Sequence, residues 1–146
     1  MYKRQELSSP GKPADQNVNP FLRAYQEDFA ARAQWCASGP EECSHPVRIK
    51  KVTADCAARA GACVELKAQV IDPDGAGFDA EWTVSTHSGS YRGTEDLARW
   101  RARRVQGTFT LPADAQAGDR FVLTLSARTC GRRPCTRYAQ VAVMVR

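Results

Sequence analysis

The sequence has no run approaching the roughly 18 consecutive apolar residues that a membrane-crossing helix needs. Its first twenty residues, MYKRQELSSPGKPADQNVNP, also lack the apolar segment of an export signal. No transmembrane segment is therefore expected. Histidine is scarce, His45 and His87 being the only two, and both lie in loop contexts, HP and THSGS. The GxSxG, HExxH and P-loop patterns are missing, which removes the usual sequence signs of a serine hydrolase, a zinc peptidase and a nucleotide-binding loop. His87 with Ser85, Ser88 or Ser90 can be written as a partial hydrolase site, but residues so close in a strand-to-loop segment are more often simply exposed. The expectation is a protein without enzymatic activity and without a cofactor. Neither asparagine of NVNP, Asn17 or Asn19, opens a glycosylation sequon, which leans toward a bacterial source.

What is present is an ordinary globular composition. The chain is 146 residues long, with 42% apolar and 25% charged residues, enough for one core and too little for two. Lysine and arginine number 21 against 16 aspartates and glutamates, a net +5. So mild an excess admits nucleic acid, an anionic surface or an acidic protein without choosing among them.

The six cysteines fall into three close pairs: Cys36 and Cys43 in CASGPEEC, Cys56 and Cys63 in CAARAGAC, and Cys130 and Cys135 in CGRRPC. An even count in local pairs reads as three short-loop disulfides, although six cysteines allow fifteen connectivities. Glycine in each intervening segment lets the chain turn back as the bridge geometry requires. Structural zinc sites use tighter knuckles and more histidine. Disulfides imply an extracytoplasmic place, in the periplasm, on the cell surface or secreted, and hence a leader removed from the natural protein.

Residues 1–19 are polar, with Pro10, Gly11 and Pro13, and read as a flexible linker. Residues 20–45 read as an N-terminal helix and a disulfide loop. Asn19 caps and Pro20 begins the helix FLRAYQEDFAARAQWC. Phe21, Leu22, Tyr25, Phe29 and Ala33 recur at helical spacing as one stripe, and packing of that stripe against the body of the protein is the first expectation. A docking helix for a partner is the alternative.

From residue 46 to 146 the period changes to two. VRIKKVTAD reads as a strand, VELKAQVI places Val64, Leu66, Ala68 and Val70 on one face, and FDAEWTVST does the same for Phe78, Ala80, Trp82 and Val84. VQGTFTL, RFVLTLSART and YAQVAVMV continue the alternation. Six or seven short strands with no helix between them predict a mainly β, antiparallel sandwich preceded by the helix.

Residues 63–146 resemble an immunoglobulin-like domain of the polycystic-kidney-disease (PKD) type and the related cadherin-like sandwiches. The resemblance is carried by VELKAQVIDPDGAGFDAEWTV, an apolar strand, a D-P-D-G corner and a strand bearing Trp82. It continues in TFTLPADAQAGDRFVLTLSA and the closing RYAQVAVMVR. It implies a non-catalytic extracellular module that serves as adhesion unit, spacer or binding accessory. In such domains Asp72, Pro73, Asp74 and Gly75 form chiefly a corner, which the turn chemistry of Asp, Pro and Gly supports. Asp72, Asp74 and Asp79 could instead supply oxygens to calcium, but the spacing of a helix-loop-helix calcium site is not met.

The most distinctive surface signal is YRGTEDLARWRARR. Tyr91, Arg92, Arg99, Trp100, Arg101, Arg103 and Arg104 form a candidate binding group, joined by Arg132 and Arg133 in the Cys130–Cys135 loop. Guanidinium forks hold carboxylate, sulfate or phosphate, and a tryptophan among them can stack on a sugar or a base. If RWRAR is extended, Arg99, Arg101 and Arg103 face solvent and Trp100 the core. The expected partner is a protein in the envelope or on a surface. An acidic polysaccharide or lipopolysaccharide is the alternative, nucleic acid a more remote one, and an accessory domain of a secreted hydrolase a third reading.

Overall fold

The structure, a computed structural model, describes residues 21–86 and 88–146. The expected linker at 1–19, the Asn19–Pro20 helix start and His87 of the partial hydrolase site lie outside the described residues.

Among the described residues the protein is mainly β with one N-terminal helix, α1 (Leu22–Trp35). Eight strands follow: β1 (Arg48–Ala54), β2 (Ala57–Ala58), β3 (Cys63–Ile71), β4 (Phe78–Ser85), β5 (Arg101–Arg103), β6 (Gln106–Thr110), β7 (Arg120–Thr129) and β8 (Thr136–Val145). They form a three-stranded sheet in the order β1-β3-β6 and a five-stranded sheet in the order β2-β8-β7-β4-β5. All these neighbours are antiparallel except the short β2, which runs parallel to β8.

Period-two alternation makes the core. Val64 and Leu66 of β3 and Phe109 of β6 come from the smaller sheet, while Trp82 and Val84 of β4, Phe121, Leu123 and Leu125 of β7, and Val143 and Val145 of β8 come from the larger. Trp82 lies opposite Leu125, and Val84 opposite Leu123, on neighbouring strands. Full burial of each such large side chain contributes about 1.5–3 kcal/mol. One end of the core is aromatic, with Trp100 edge-on to Phe109 at 5.0 Å, Phe109 5.8 Å from Phe121, and Phe121 5.2 Å from Tyr91.

The helix packs the other way round from the first expectation. Leu22, Tyr25 and Phe29 are 47%, 60% and 75% exposed, and the buried residues of α1 are the small Ala24 and Ala31. Between those alanines lie Glu27 and Asp28, turned toward the strands. Arg128 of β7 donates through both Nη1 and Nη2 to Glu27, and Arg137 of β8 pairs with Asp28 at 2.7 Å. These two ion pairs, with small residues allowing close approach, hold this face of the helix against the sheet.

Candidate functional site

A cleft of about 310 Å³ lies at the Ser85 end of β4, bounded by Ser85, Thr86, the segment 89–97 and the start of β7, and a second concavity of about 400 Å³ lies against Asp79, Glu81, Arg103, Ser126 and Arg128. The floor of the first, the cleft, is apolar, from Val84, Leu97 and Phe121, and its rim carries Arg92, Glu95, Asp96 and Arg120.

Its wall is built by one carboxylate. Asp114 Oδ1 accepts from the Tyr91 hydroxyl at 2.6 Å, and Oδ2 accepts from the Thr94 N–H at 2.9 Å and the Thr94 hydroxyl at 3.0 Å. The Glu95 N–H in turn donates to the Tyr91 oxygen at 3.2 Å. These donors, the Tyr91 hydroxyl first, hold the Asp114 carboxyl below the usual carboxylate range. Burial, with help from the Asp114 bond, pushes the Tyr91 phenol up.

Two glycines are demanded by close approach. A Cβ on Gly89 would stand 2.8 Å from the Arg120 carbonyl oxygen, and one on Gly93 would stand 2.3 Å from the Tyr91 hydroxyl. Arg120 Nη2 donates to the Ser88 carbonyl at 2.7 Å, and Arg92 Nη1 to the Tyr91 carbonyl at 2.9 Å. The cleft's strongest polar groups therefore brace its own wall. Asp114, Glu95 and Arg120 were not singled out from the sequence. Asp114 entered the sequence reading only as part of the resemblance carried by TFTLPADAQAGDRFVLTLSA, and its link to Tyr91 spans 23 positions.

The arginines singled out from the sequence do not converge. Arg92 is at the cleft. Arg101 and Arg103 stand on β5, an edge strand, with Trp100 and Ala102 toward the core, as the extended reading expects. Both point at Glu81, at 3.8 and 3.9 Å, and Arg99 pairs with Asp96 at 3.5 Å. A charged edge of this kind discourages pairing with another chain. Arg104 takes a positive φ of 140° while its N–H donates to the Ala80 carbonyl at 2.9 Å. Arg132 and Arg133 sit on the β7–β8 turn, beside the Phe78 end of β4, since Phe78 lies opposite Thr129. The cleft is at the other end of that strand, roughly 25 Å away at about 3.3 Å per residue.

The acidic corner is a turn. Asp72 accepts from the N–H groups of Asp74 at 3.2 Å and Gly77 at 2.8 Å. Asp74 reaches back to His45, accepting from its N–H at 2.6 Å and lying 2.7 Å from its Nδ1. Asp79 stands apart, 3.9 Å from the Cys130 sulfur. Among the described residues no group of three or more His, Cys, Asp or Glu side chains is placed to hold a metal ion.

All six cysteines are free thiols in this structure, with Cys43 and Cys135 buried and the others exposed. Each sequence pair flanks one short connection: a 3-10 turn at Pro40–Glu42, the segment bearing β2, and the β7–β8 turn. Among the described residues no helix is long and apolar enough to cross a membrane.

No protein-family model matches the chain, and no curated protein sequence matches it. A solved structure does: a nucleoside hydrolase-related hypothetical protein from Saccharophagus degradans that is associated with carbohydrate metabolism. The TM-score is 0.75 at 21% identity, and the match covers 92% of this chain and 34% of that one. This is a likeness of fold, and the chain spans about a third of the length of the protein it matches.

Proposed function

We propose that this chain is a non-catalytic binding and structural module, working as the accessory domain of a larger extracytoplasmic protein. The observation that carries the reading is the extent of the fold likeness: nearly the whole chain corresponds to a third of a longer protein described as nucleoside hydrolase-related. A domain that recurs as one part of a larger chain suits an accessory role. The cleft is consistent with that role, because Asp114, Arg92 and Arg120 serve its wall.

Within this proposal the two sheets form an immunoglobulin-like sandwich of the PKD and cadherin-like type, and the three cysteine pairs close as short-loop disulfides after export. Counting thiols in protein from its native compartment tests the second point: six reactive thiols under denaturing, non-reducing conditions would refute it. The function is tested by assaying the purified chain against nucleosides and aryl glycosides. No turnover above background is expected. Turnover abolished by one substitution in the cleft, such as Asp114→Asn, would overturn the reading.

A further inference from the structure

Among the described residues nothing covers the outward face of α1. Leu22, Tyr25 and Phe29, at positions i, i+3 and i+7, make an exposed stripe. Phe21, edge-on to Tyr138 at 4.7 Å, carries the apolar surface from the helix onto β8. The helix needs none of this stripe to stay in place, because Ala24, Glu27, Asp28 and Ala31 hold it from the other side.

The charges about the helix sum to a positive excess. Glu27 accepts from Arg128 and also pairs with Arg23 at 3.0 Å, and Asp28 pairs with Arg137 at 2.7 Å and Arg32 at 2.8 Å. Four guanidiniums thus share two carboxylates, an excess of two positive charges. Glu27 and Asp28 are the only acids of the helix, and both are turned inward, while Arg23 and Arg32 flank the stripe in solvent. The exposed charges beside the stripe are thus arginines, each paired with a carboxylate turned inward.

Resting on the accessory-module reading, we propose that this face seats the companion domain, and that the companion's contact surface is an apolar patch bordered by carboxylates. Charge selects this occupant over a second copy. On a second copy the same face carries the same excess of positive charge, a juxtaposition that opposes association. Aromatic anchors with an arginine rim are the composition of a protein interface core.

The test is site-specific photo-crosslinking in the cells that make the protein, with Phe29→p-benzoylphenylalanine and the same replacement at Asp96 as a remote control. Crosslinks from position 29 are expected to map to apolar residues with Asp or Glu as near neighbours on a folded domain. Adding Arg23→Gln/Arg32→Gln should lower the yield about tenfold, with helicity by circular dichroism unchanged. Crosslinks to a second copy, to lipid, to glycan or nucleic acid, to a basic protein surface, or none at position 29 would each overturn the proposal. Catalysis by the purified chain would overturn the accessory reading instead, so the two failures are told apart.

Discussion

Glu27 accepts both terminal guanidinium nitrogens of Arg128, a residue 101 positions further along the chain. A two-pronged carboxylate–guanidinium pair fixes orientation as well as distance. Together with the Asp28–Arg137 pair it sets which face of α1 meets the sheet. The docking of the helix, and with it the exposure of Tyr25 and Phe29, rests on these charges.

Removing one partner should therefore loosen the helix and leave the sheets. Hydrogen bonds to charged groups contribute about 1.5–3 kcal/mol when shielded. Because 35% of the Arg128 side chain stays in solvent, Arg128→Ala is expected to cost only about 1–2 kcal/mol. Hydrogen exchange should accelerate across 22–35 and stay unchanged in β3 and β7. Equal acceleration everywhere, or none in the helix, contradicts this account.

The same pairs give the docking a pH dependence of known sign. The Arg128 guanidinium holds the Glu27 carboxyl below its ordinary 4.5. Burial pushes the Asp28 carboxyl up, but Arg137 and Arg32 more than offset this and bring it below 3.8. A carboxyl depressed in the folded state contributes stability that is complete above its unfolded value and is lost as pH falls through its folded value. The loss thus begins near pH 4.5 and deepens on further acidification. Thermal unfolding from pH 6 to 3 should show a larger drop for the natural protein than for Glu27→Gln/Asp28→Asn, and identical drops would refute the assignment. Other carboxylates titrate in both proteins and cancel in the comparison.

Two aromatic substitutions separate the observed helix orientation from the one its sequence suggests. Phe29→Asp should change stability by no more than about 0.5 kcal/mol, because the side chain already lies in solvent. Trp82→Ala, at 0% exposure, should cost about 3–5 kcal/mol through the cavity it leaves. Denaturant titration of the two variants is the check, and severe destabilisation by Phe29→Asp would mean that the stripe is packed after all.

The contrast also shows what could be read from the sequence. β3 and β4 were legible because one face of each is buried, so Val64 and Leu66, and Trp82 and Val84, alternate with other residues. β7 showed its period through Phe121, Leu123 and Leu125, although Val122 and Thr124 between them are buried too. β5 was not legible, since Arg101–Arg103 is three residues long and holds one small apolar side chain. The helix was legible as a helix, but its docking face was not. An apolar stripe is ordinarily the buried one, and the Ala24, Glu27, Asp28, Ala31 face makes sense only once Arg128 and Arg137 are known to lie beneath it. Tyr91 was marked by its arginine neighbours, whereas Asp114 acquires its role from a contact across the fold.

Arg104 offers a test of local strain. Its φ of 140° is one that side chains with a Cβ rarely adopt, and the usual cost is about 1–3 kcal/mol. Its N–H bond to Ala80 survives substitution by glycine. Arg104→Gly is expected to raise stability by about 1 kcal/mol after the added unfolded-state entropy of glycine is counted. A net loss would show that the Arg104 side chain supports the β5–β6 connection by contacts that outweigh the strain.

The cleft wall depends on Asp114 as a unit with Tyr91 and Thr94, and coupling is the quantity that reveals a unit. Tyr91→Phe removes the 2.6 Å bond but keeps the ring against Phe121, while Asp114→Ala removes that bond and both Thr94 bonds. If the carboxylate holds the segment 89–97 through both residues, each single variant should speed hydrogen exchange there, Asp114→Ala the more. The double variant should then add little to Asp114→Ala, since the Tyr91 hydroxyl has already lost its acceptor. Strict additivity would mean that Tyr91 and Asp114 act separately, with the wall held mainly by the packing of Tyr91 on Phe121. The order of the two single effects decides the point further. A larger effect from Tyr91→Phe than from Asp114→Ala would place the anchor in the phenol's bond to the Glu95 N–H rather than in the carboxylate.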